Sequence, residues 1–542
     1  MEFQLASLWE ALTDAGPDHT CLVVGDERHT RRSLDDRANQ VAHHLLSIGV
    51  GPGDRVGLLT YNRVEHVEAM LGCWKISAVP VNLNYRYVAD ELEYVWRDAD
   101  LVASVAERSF VPVVAEVVGR LDAPTGAGRH LVIEDGSDAT AELETTAWSD
   151  AIGAQPTTRD FGVPRSADDL YVIYTGGTTG MPKGVMWRHE DIFFSAMGGG
   201  NYLQPISAPE DIIVNGTEPA MPMNMTATAP LMHAAGQWVT MISMFSGGTS
   251  VVWDGRSFDA GAVLDLCGRE NSQMLALVGD AMAIPVAEEM ERNPRELPAL
   301  FAVSNGGAML SPATRERLAA AFPGKILSDG FGSSETGAVG TGANSAPEEE
   351  GSHFTVGPTT QVLDPESLEP VPQGEPGMVA RSGHIPLGYM NDETKTGQVF
   401  RTDAAGTRWV LSGDRAIVEE DGRLLLLGRD SNTINSGGEK IHPEEVEAAC
   451  RSHASVEDVI VTGVPDEKWG SSVAAIVQLA DGATVDLQGL QEHCRSKIAG
   501  YKVPRHLLFS DVQVTNVGKP DTVWARSFAC AELGIDDPKA AG

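Results

Sequence analysis

The chain has 542 residues and a formal net charge of −36, so it is too long for one hydrophobic core and should form about two to four domains. The acidic excess argues against nucleic acids and anionic membrane surfaces as partners. No stretch approaches the roughly 18 uninterrupted apolar residues of a membrane span, and the start lacks the basic and apolar segments of a secretory signal. We therefore expect a cytoplasmic protein without a transmembrane segment.

The cysteines give no sign of a disulfide framework or a zinc site. There are six of them, scattered along the chain without a Cys-x-x-Cys pair. This distribution is typical of reduced intracellular thiols.

The first part of the chain alternates between helical and strand-like patterns. Apolar residues recur at helical spacing in residues 31–46, where Ser33 is the expected cap, and again in residues 64–78. A short apolar run follows each helix, at residues 56–59 and 78–81. Helices of this length between strands predict βαβ units and a parallel sheet.

The middle of the chain continues this alternation after an interruption. Residues 122–165 are rich in Gly, Thr, Asp and Pro and are expected to form a surface excursion. A strand at residues 170–174 and a helix at residues 281–291 follow, and a further strand ends in a turn at residues 304–308. Because ligand crevices in open α/β sheets lie at the ends of strands, that turn is a candidate binding segment.

In the last part of the chain, the composition and the predicted secondary structure change twice. Residues 341–377 are dense in Gly, Pro and Glu, and short strands from about residue 378 predict a small β-rich subdomain. Beyond Arg429, a helix, two strands and a second helix predict a compact α+β unit. The expected fold is therefore α/β, with a large N-terminal domain of parallel-sheet βαβ subdomains and the β-rich subdomain in residues 1–429, followed by an α+β C-terminal domain in residues 430–542.

Residues 174–184 carry the clearest chemical pattern, with four glycines, three threonines and one lysine. Glycines let a backbone close on phosphate oxygens, and backbone N–H groups and hydroxyls can then face the anion. The P-loop pattern is excluded, because Lys183 stands between a proline and a glycine. A flexible surface turn would explain the glycines but not the threonines and lysine, so we interpret the segment as a phosphate-binding loop.

Together with this loop, segments along nearly the whole chain resemble the adenylate-forming superfamily. This superfamily includes acyl-CoA synthetases, the adenylation domains of peptide synthetases and firefly-type luciferases. The matching segments, in the order of the family, are residues 174–184, 230–236, 328–336, 412–414, 428–445 and 516–519.

The resemblance implies a nucleotide site, and within it we expect residues 328–336 to form a glycine turn that presents an aromatic ring, hydroxyls and a carboxylate together. Phe331 would stack on adenine, and Ser334 would meet phosphate or carboxylate oxygens; the family usually has Tyr and Thr at these positions. Asp414 and Arg429 would bind the ribose hydroxyls, since a carboxylate accepts two hydroxyl protons at once. The implied ATP- and AMP-binding residues are Thr175, Gly176, Gly177, Thr178, Thr179, Gly180, Lys183, Gly307, Ala308, Asp329, Gly330, Phe331, Gly332, Ser334, Asp414 and Arg429.

The resemblance also implies three catalytic residues. Glu335 would hold Mg²⁺, which prefers one or two carboxylates together with phosphate oxygens and water. His233 would border the acyl pocket near the reacting carboxylate. Lys519 would bridge that carboxylate and the α-phosphate and stabilise charge as the adenylate forms. A lone histidine or a C-terminal lysine is more often structural or solvated, so these roles rest on the resemblance.

The C-terminal domain would be mobile and would serve both steps of the implied reaction. Gly437, Gly438 and Lys440 would contact CoA, and Ser431 stands at the hinge, where the family usually has Asp or Lys. Hinges are often small residues, so this departure affects the energetics of the hinge and not its existence.

The implied reaction begins with attack of a carboxylate on the α-phosphorus of Mg-ATP. It gives an acyl adenylate and pyrophosphate, after which the CoA thiol attacks the mixed anhydride and AMP leaves. The implied partners are a small carboxylic acid, ATP and CoA, and a homodimer is a further expectation.

The substrate class follows from a closer resemblance. Residues 131–138, 186–194 and 435–440 are similar to the fatty-acid and steroid side-chain CoA ligase branch, and methionines in residues 220–225 add flexible apolar side chains. We therefore expect a bulky apolar acid, either a medium- or long-chain fatty acid or a steroid side-chain acid.

Two alternatives stay open at this point. An enzyme that loads a carrier protein would need an acidic residue near His233 to meet an α-amine, and residues 230–236 contain none. A nucleotide-binding protein without turnover is disfavoured because Lys183, Glu335 and Lys519 are all present.

Overall fold

The computed structural model of the chain describes residues 1–121, 128–176, 181–201, 204–308, 310, 312–343, 352–429, 434–441, 443–480, 482–512 and 522–536. Its helices are α1 Leu5–Ala15, α2 Arg31–Ser47, α3 Val64–Lys75, α4 Ala89–Ala99, α5 Val111–Arg120, α6 Trp148–Gly153, α7 His189–Ala196, α8 Ile212–Thr217, α9 Ala234–Phe245, α10 Ala260–Arg269, α11 Gly279–Arg292, α12 Pro312–Ala321, α13 Glu393–Val399, α14 Pro443–Arg451, α15 Leu487–Arg495 and α16 Thr522–Leu533.

The strands of the first half are β1 Thr20–Val24, β2 Glu27–Thr30, β3 Arg55–Leu59, β4 Val79–Asn82, β5 Leu101–Glu107, β6 His130–Ile133, β7 Thr146–Ala147, β8 Leu170–Gly176, β9 Pro182–Arg188, β10 Met225–Ala227, β11 Ser250–Val252 and β12 Met274–Leu277. Those of the second half are β13 Ala302–Gly306, β14 Ile326–Ser333, β15 Gly337–Ala343, β16 Ser352–Val356, β17 Thr360–Leu363, β18 Pro376–Arg381, β19 Gly388–Tyr389, β20 Phe400–Thr402, β21 Arg408–Val418, β22 Leu424–Arg429, β23 Ile434–Ser436, β24 Glu439–Ile441, β25 Val456–Asp466, β26 Gly470–Leu479 and β27 His506–Phe509.

The largest sheet has a parallel half and an antiparallel half. Strands β14, β13, β12, β10, β11 and β1 run parallel in that spatial order, and β2 closes one edge antiparallel. Beyond β14 the sheet continues as an antiparallel ladder of β15, β16, β22, β21, β18 and β17, with β20 beside β21. The predicted β-rich subdomain is therefore a continuation of the parallel sheet.

The second sheet carries the glycine-rich loop. Its parallel strands follow the order β8, β4, β3, β5, β6 and β7, and the unit formed by β3, α3 and β4 is one of the predicted βαβ units. Strand β8 turns back into β9 as an antiparallel hairpin, and β19 pairs with the outer edge of β9.

One apolar cluster joins the two sheets of the N-terminal domain. It includes Trp9 of α1, Trp74 of α3 and Phe245 of α9, all fully buried, together with Ile173 of the second sheet and Val252 of the first. Burying a large apolar side chain stabilises a fold by about 1.5–3 kcal/mol, so this cluster fixes how the two sheets sit against each other.

The small C-terminal domain is built on β25, β26 and β27, with the β23–β24 hairpin preceding them. Side chains alternate across β25, as a strand requires. Val459 and Val461 face α14 and α15, whereas Ile460 faces α16. The predicted α+β pattern of this domain is thus explained by a sheet covered by helices on both faces.

Two helix ends differ from the sequence-based expectation. Thr30, and not Ser33, caps α2, since its side chain accepts a hydrogen bond from the Ser33 N–H. Helix α3 ends at Lys75 because Ser77 adopts a positive φ of 54°, which a helix cannot accommodate.

Three predicted loops are in part regular structure. Residues 122–165 were expected to be a surface excursion, but β6 is buried and pairs with β5; residues 122–127 lie outside the described residues. The expected turn at residues 304–308 begins inside β13. Of the expected glycine turn at residues 328–336, residues 328–333 belong to strand β14 and residues 334–336 form a turn. Across the described ranges, no helix has the length and apolar character needed to cross a membrane.

Candidate active site

The predicted phosphate loop lies at the tip of the β8–β9 hairpin. Thr175 pairs with Lys183, and Gly176 pairs with Pro182, across the hairpin. The lysine therefore stands directly beside the start of the loop. The next four predicted residues, Gly177, Thr178, Thr179 and Gly180, lie outside the described residues.

Lys183 lies in a cluster of side chains, of which Glu335 was predicted from the sequence and two others were not. Its Nζ lies 3.3 Å from Oδ2 of Asp392 and 5.3 Å from the ring centroid of Tyr389. Tyr389 donates its hydroxyl to Oε1 of Glu335 at 2.9 Å. The predicted phosphate-binding lysine and the predicted metal-binding carboxylate thus contact the same tyrosine. The N–H of Lys395, together with the Lys183 ammonium, holds the pKa of Asp392 below its usual value.

Sequence reasoning missed Tyr389 and Asp392. Asp392 is 209 positions from Lys183 along the chain, and the strand that brings it there, β19, has two residues. A strand this short gives no periodic signal. The pairing of Tyr389 with Val185 in β9 places these residues at the loop.

The ends of the parallel strands β13 and β14 carry the next group of predicted residues. Asn305 pairs with Asp329 in register, and its Nδ2 donates to Oδ1 of Asp329 at 3.0 Å and to the Ala308 carbonyl at 2.8 Å. Its Oδ1 accepts from the Gly279 N–H at 2.7 Å. Asp329 also forms an ion pair with Arg315. Asn305 lies in the candidate turn at residues 304–308, although no individual role was predicted for it, and it fixes Ala308 relative to Asp329.

Strand β14 and the turn after it hold the remaining residues of this group. The strand carries Asp329, Gly330, Phe331 and Gly332. The partly buried ring of Phe331 lies 5.2 Å from that of Phe354. In the turn, the Ser334 carbonyl accepts from Nε1 of Trp187 at 3.1 Å. Since Trp187 lies in β9, this bond ties the turn that bears Glu335 to the hairpin that bears Lys183.

The predicted ribose pair lies on adjacent strands. Asp414 in β21 is opposite Arg429 in β22, and Asp414 is buried, with its N–H donating to Oγ of Ser412 at 3.0 Å. The side chain of Arg429 lies outside the described structure, as do Ser431 and Lys519.

The β23–β24 hairpin of the C-terminal domain reaches the N-terminal domain through its glycines. Gly437 and Gly438 form its turn at φ values of 60° and 85°, which favour glycine, and Lys440 lies in its second strand. A Cβ added to Gly438 would lie 2.9 Å from Cγ1 of Val278, and one added to Gly307 would lie 3.6 Å from the same atom. A single valine thus separates the predicted CoA-binding glycines from the predicted nucleotide-binding turn.

His233 meets a carboxylate from the same hairpin. Its Nε2 lies 3.2 Å from Oε1 of Glu439, 206 positions away in the chain, and Arg86 pairs with that carboxylate too. Burial raises the pKa of Glu439, but His233 and Arg86 outweigh burial and lower it to about 2. An ionised carboxylate only accepts hydrogen bonds, so Nε2 of His233 carries the proton. Glu439 lies inside a matching segment, but no role was predicted for it.

The sequence of the chain matches known proteins over nearly its full length. The family model described as AMP-binding enzyme matches residues 9–390, and that of the AMP-binding enzyme C-terminal domain matches residues 445–519. The medium/long-chain-fatty-acid–CoA/3-oxocholest-4-en-26-oate–CoA ligase of Mycobacterium marinum is 42% identical over 532 residues, which are 96% of each chain. The 3-oxocholest-4-en-26-oate–CoA ligase of Rhodococcus rhodochrous is 40% identical and covers 97% of this chain and 96% of its own.

Solved structures show the same fold. The amide bond synthetase McbA from Marinactinospora thermotolerans superimposes with a TM-score of 0.78 at 24% identity, covering 96% of this chain and 99% of that one. The o-succinylbenzoate CoA synthetase MenE from Bacillus subtilis gives 0.79 at 22% identity, covering 96% and 98%. The predicted fold class and the predicted superfamily are therefore confirmed. The chain belongs to the AMP-binding enzyme family, in its acyl-CoA ligase branch.

Proposed function

We propose that the protein converts a bulky apolar carboxylic acid to its CoA thioester in two steps, with AMP and pyrophosphate as the other products. The observation that carries this proposal is the contact between His233 and Glu439. It joins the turn expected to border the acyl group to the hairpin expected to bind CoA.

In the first step, the carboxylate attacks the α-phosphorus of ATP and pyrophosphate leaves. Lys183, held between Asp392 and the ring of Tyr389, is positioned to orient the β- and γ-phosphates. Asp414 and Arg429 hold the ribose, and Lys519 stabilises the charge that develops between carboxylate and α-phosphate. No covalent enzyme intermediate is required, because positioning and electrostatics can supply this catalysis.

Mg²⁺ is part of the proposal for the first step. Glu335 offers one carboxylate, fixed by the hydroxyl of Tyr389, and Lys183 lies on the same ring. One carboxylate beside a phosphate-binding lysine suits Mg²⁺, which takes its other ligands from phosphate oxygens and water. When bound, the ion would neutralise charge on the triphosphate.

In the second step, the CoA thiol attacks the acyl adenylate and AMP leaves. Gly437, Gly438 and Lys440 line the approach of CoA in this proposal. The described arrangement suits this step, because the glycine turn lies against Val278 and its Glu439 reaches His233.

The two steps require different faces of the C-terminal domain. We propose that residues 1–429 and 430–542 form the two domains and that the chain turns at Ser431. A rotation there would replace the Gly437–Gly438 turn by Lys519 at the reacting carboxylate. Cytoplasmic location, which was expected from the sequence, and a homodimer stay predictions; size-exclusion chromatography with light scattering would test the homodimer.

The proposed substrate class is a medium- or long-chain fatty acid or a steroid side-chain acid. It is supported by the names of the relatives, which are 40–42% identical over nearly the whole chain. Loading of a carrier protein is not favoured, since those relatives are named as CoA ligases.

Pyrophosphate release over a panel of fatty, aromatic and steroid acids, with and without CoA, tests the proposal. With the acid and CoA both present, we expect repeated turnover, AMP and pyrophosphate in equal amounts, and an acyl-CoA product by mass spectrometry. With the acid alone, we expect only the pyrophosphate released as the enzyme forms bound acyl-AMP. Release of ADP and phosphate would contradict adenylation, and acyl-AMP that CoA never consumes would contradict the second step.

A further inference from the structure

A buried ion cluster joins the two domains beside the site. Nζ of Lys502 lies 2.6 Å from Oε1 of Glu445 in α14 and 2.6 Å from Oε1 of Glu91 in α4. The three side chains are only 4%, 7% and 3% exposed, respectively. The ammonium also lies 5.4 and 5.5 Å from the ring centroids of Tyr87 and Tyr501. One cation is thus shared between a carboxylate of each domain.

Two short chain segments, residues 86–91 and 439–445, connect this cluster to the contact between His233 and Glu439. Arg86 pairs with Glu439, and Glu91, shortly after Arg86, meets Lys502. Glu445, which also meets Lys502, follows Glu439 across the start of α14. The segments 86–91 and 439–445 are therefore joined at both ends, so the cluster constrains the angle at which the glycine hairpin enters the site.

Each carboxylate of the cluster keeps a partner when the domains separate. Oε2 of Glu91 accepts from the Val88 N–H at 3.2 Å, at the start of α4. Glu445 and Lys502 both belong to the C-terminal domain and can stay paired. The contact can therefore form and break without leaving a buried charge unpaired, which would cost several kcal/mol.

The docked state, by contrast, depends on the ammonium. Burial raises the pKa of Glu445, which reflects the cost of holding two carboxylates close together out of water. Without Lys502, Glu91 and Glu445 would face each other with no cation between them. Repulsion between like charges in a buried site would then drive the domains out of this arrangement.

We propose that Lys502 is a positioning residue for thioester formation. By sharing its ammonium between Glu91 and Glu445, it holds the Gly437–Glu439 hairpin against Val278 and His233 while the thiol reacts. This inference rests on the two-step function proposed above. Adenylate formation, which uses a different face of the C-terminal domain, does not require the cluster.

The test compares the two half-reactions in the full-length protein. Adenylate formation is followed by acid-dependent pyrophosphate release without CoA, and thioester formation by single turnover of supplied acyl-AMP with CoA. In Lys502→Met we expect the second rate to fall at least about tenfold and the first to stay within about twofold. Lys497→Met, at an exposed lysine of the same domain, should change neither rate. Equal losses in both half-reactions of Lys502→Met would overturn the inference.

Two further variants distinguish a loss of docking between the two domains from a structural defect within the C-terminal domain. Glu91→Lys leaves that domain intact and adds a second ammonium opposite Lys502, so it should also slow thioester formation alone. In the double variant Lys502→Met with Glu91→Gln, one of the facing carboxylates is gone, and thioester formation should recover in part.

These variants also decide the inference if Lys502→Met fails to fold. A Glu91→Lys variant with a normal thioester rate would overturn it, as would a folded double variant no faster than Lys502→Met. If the unaltered protein forms acyl-AMP but never acyl-CoA, the proposed function fails instead.

Discussion

Gly438 approaches Val278 so closely that a Cβ on the glycine would lie 2.9 Å from Cγ1 of the valine. Real Cβ atoms almost never come this near to another side chain, because interiors are already close-packed. The glycine belongs to the C-terminal domain and the valine to the N-terminal domain. The arrangement of the domains is therefore sensitive to a single methyl group at this point.

Gly438→Ala is expected to slow thioester formation from supplied acyl-AMP by about tenfold, equivalent to about 1.4 kcal/mol. Adenylate formation should change little, because the hairpin leaves Val278 in that step of the proposed cycle. The control is Gly470→Ala in the same domain, which has a similar positive φ of 74° but nothing within 4 Å of the added Cβ. If both variants lose the same activity, backbone strain and not the contact with Val278 is responsible.

Lys519→Ala should reduce adenylate formation by about a hundredfold or more, since it removes the positive charge proposed to meet the developing negative charge. Thioester formation from supplied acyl-AMP should stay near the rate of the unaltered protein. Acid-dependent exchange of pyrophosphate into ATP measures the first effect, and single-turnover acyl-CoA formation measures the second. Loss of both half-reactions to the same extent would refute the role of Lys519.

Tyr389→Phe tests the link between Lys183 and Glu335. The substitution removes the hydroxyl bonded to Glu335 at 2.9 Å but keeps the ring beneath the Lys183 ammonium. Loss of one hydrogen bond of about 1 kcal/mol should raise the Mg²⁺ concentration for half-maximal adenylation by roughly fivefold. Tyr389→Leu removes the ring as well and should cause a larger loss, which includes weaker ATP binding. An unchanged Mg²⁺ dependence in Tyr389→Phe would show that the hydroxyl does not orient the carboxylate.

Glu68 should make stability depend on pH. Burial raises its pKa to about 7 from an ordinary value of 4.5, despite the neighbouring Arg37. Between these values the folded state binds more protons at this site than the unfolded state, so the free energy of unfolding falls as pH rises through the interval. Glu68→Gln removes the buried charge and should stabilise the protein at pH 8 by roughly 1–3 kcal/mol, with a smaller gain near pH 5.

The measurement for Glu68 is the urea midpoint of unfolding at pH 5 and pH 8, followed by tryptophan fluorescence. Glu142→Gln serves as the control, because Glu142 is an exposed glutamate of the same domain. A Glu68→Gln variant with the same pH dependence as the unaltered protein would show that this carboxyl is not the cause.

Where an apolar pattern extends over many residues, it predicted the architecture well. The βαβ alternation predicted the parallel sheets, and the pattern near the end of the chain predicted a small α+β domain, because apolar periodicity reports which faces are buried. One expectation built on glycine content was wrong in part. Strand β14 contains Gly330 and Gly332 and was expected to be a turn; it is a strand because neighbouring backbones supply its pairing.

Local sequence patterns likewise predicted only some residues of the candidate site. The segments bearing Lys183 and Asp414 stood out because their residue types suggest a chemistry. Tyr389, Asn305 and Glu439 did not stand out, since each acts by contacting a residue distant in sequence. Contacts of this kind are set by the pairing of strands and the docking of domains, which local patterns do not encode.

The pairing of β19 with β9 also has a consequence for the order in which the protein is made. Chains emerge from the ribosome N-terminus first, and domains tend to fold as they appear. The loop beside Lys183 is synthesised long before Tyr389 and Asp392, the residues that flank the lysine. A nascent chain therefore cannot complete the proposed triphosphate site until more than two thirds of the protein has been translated, so shorter translation products should lack it.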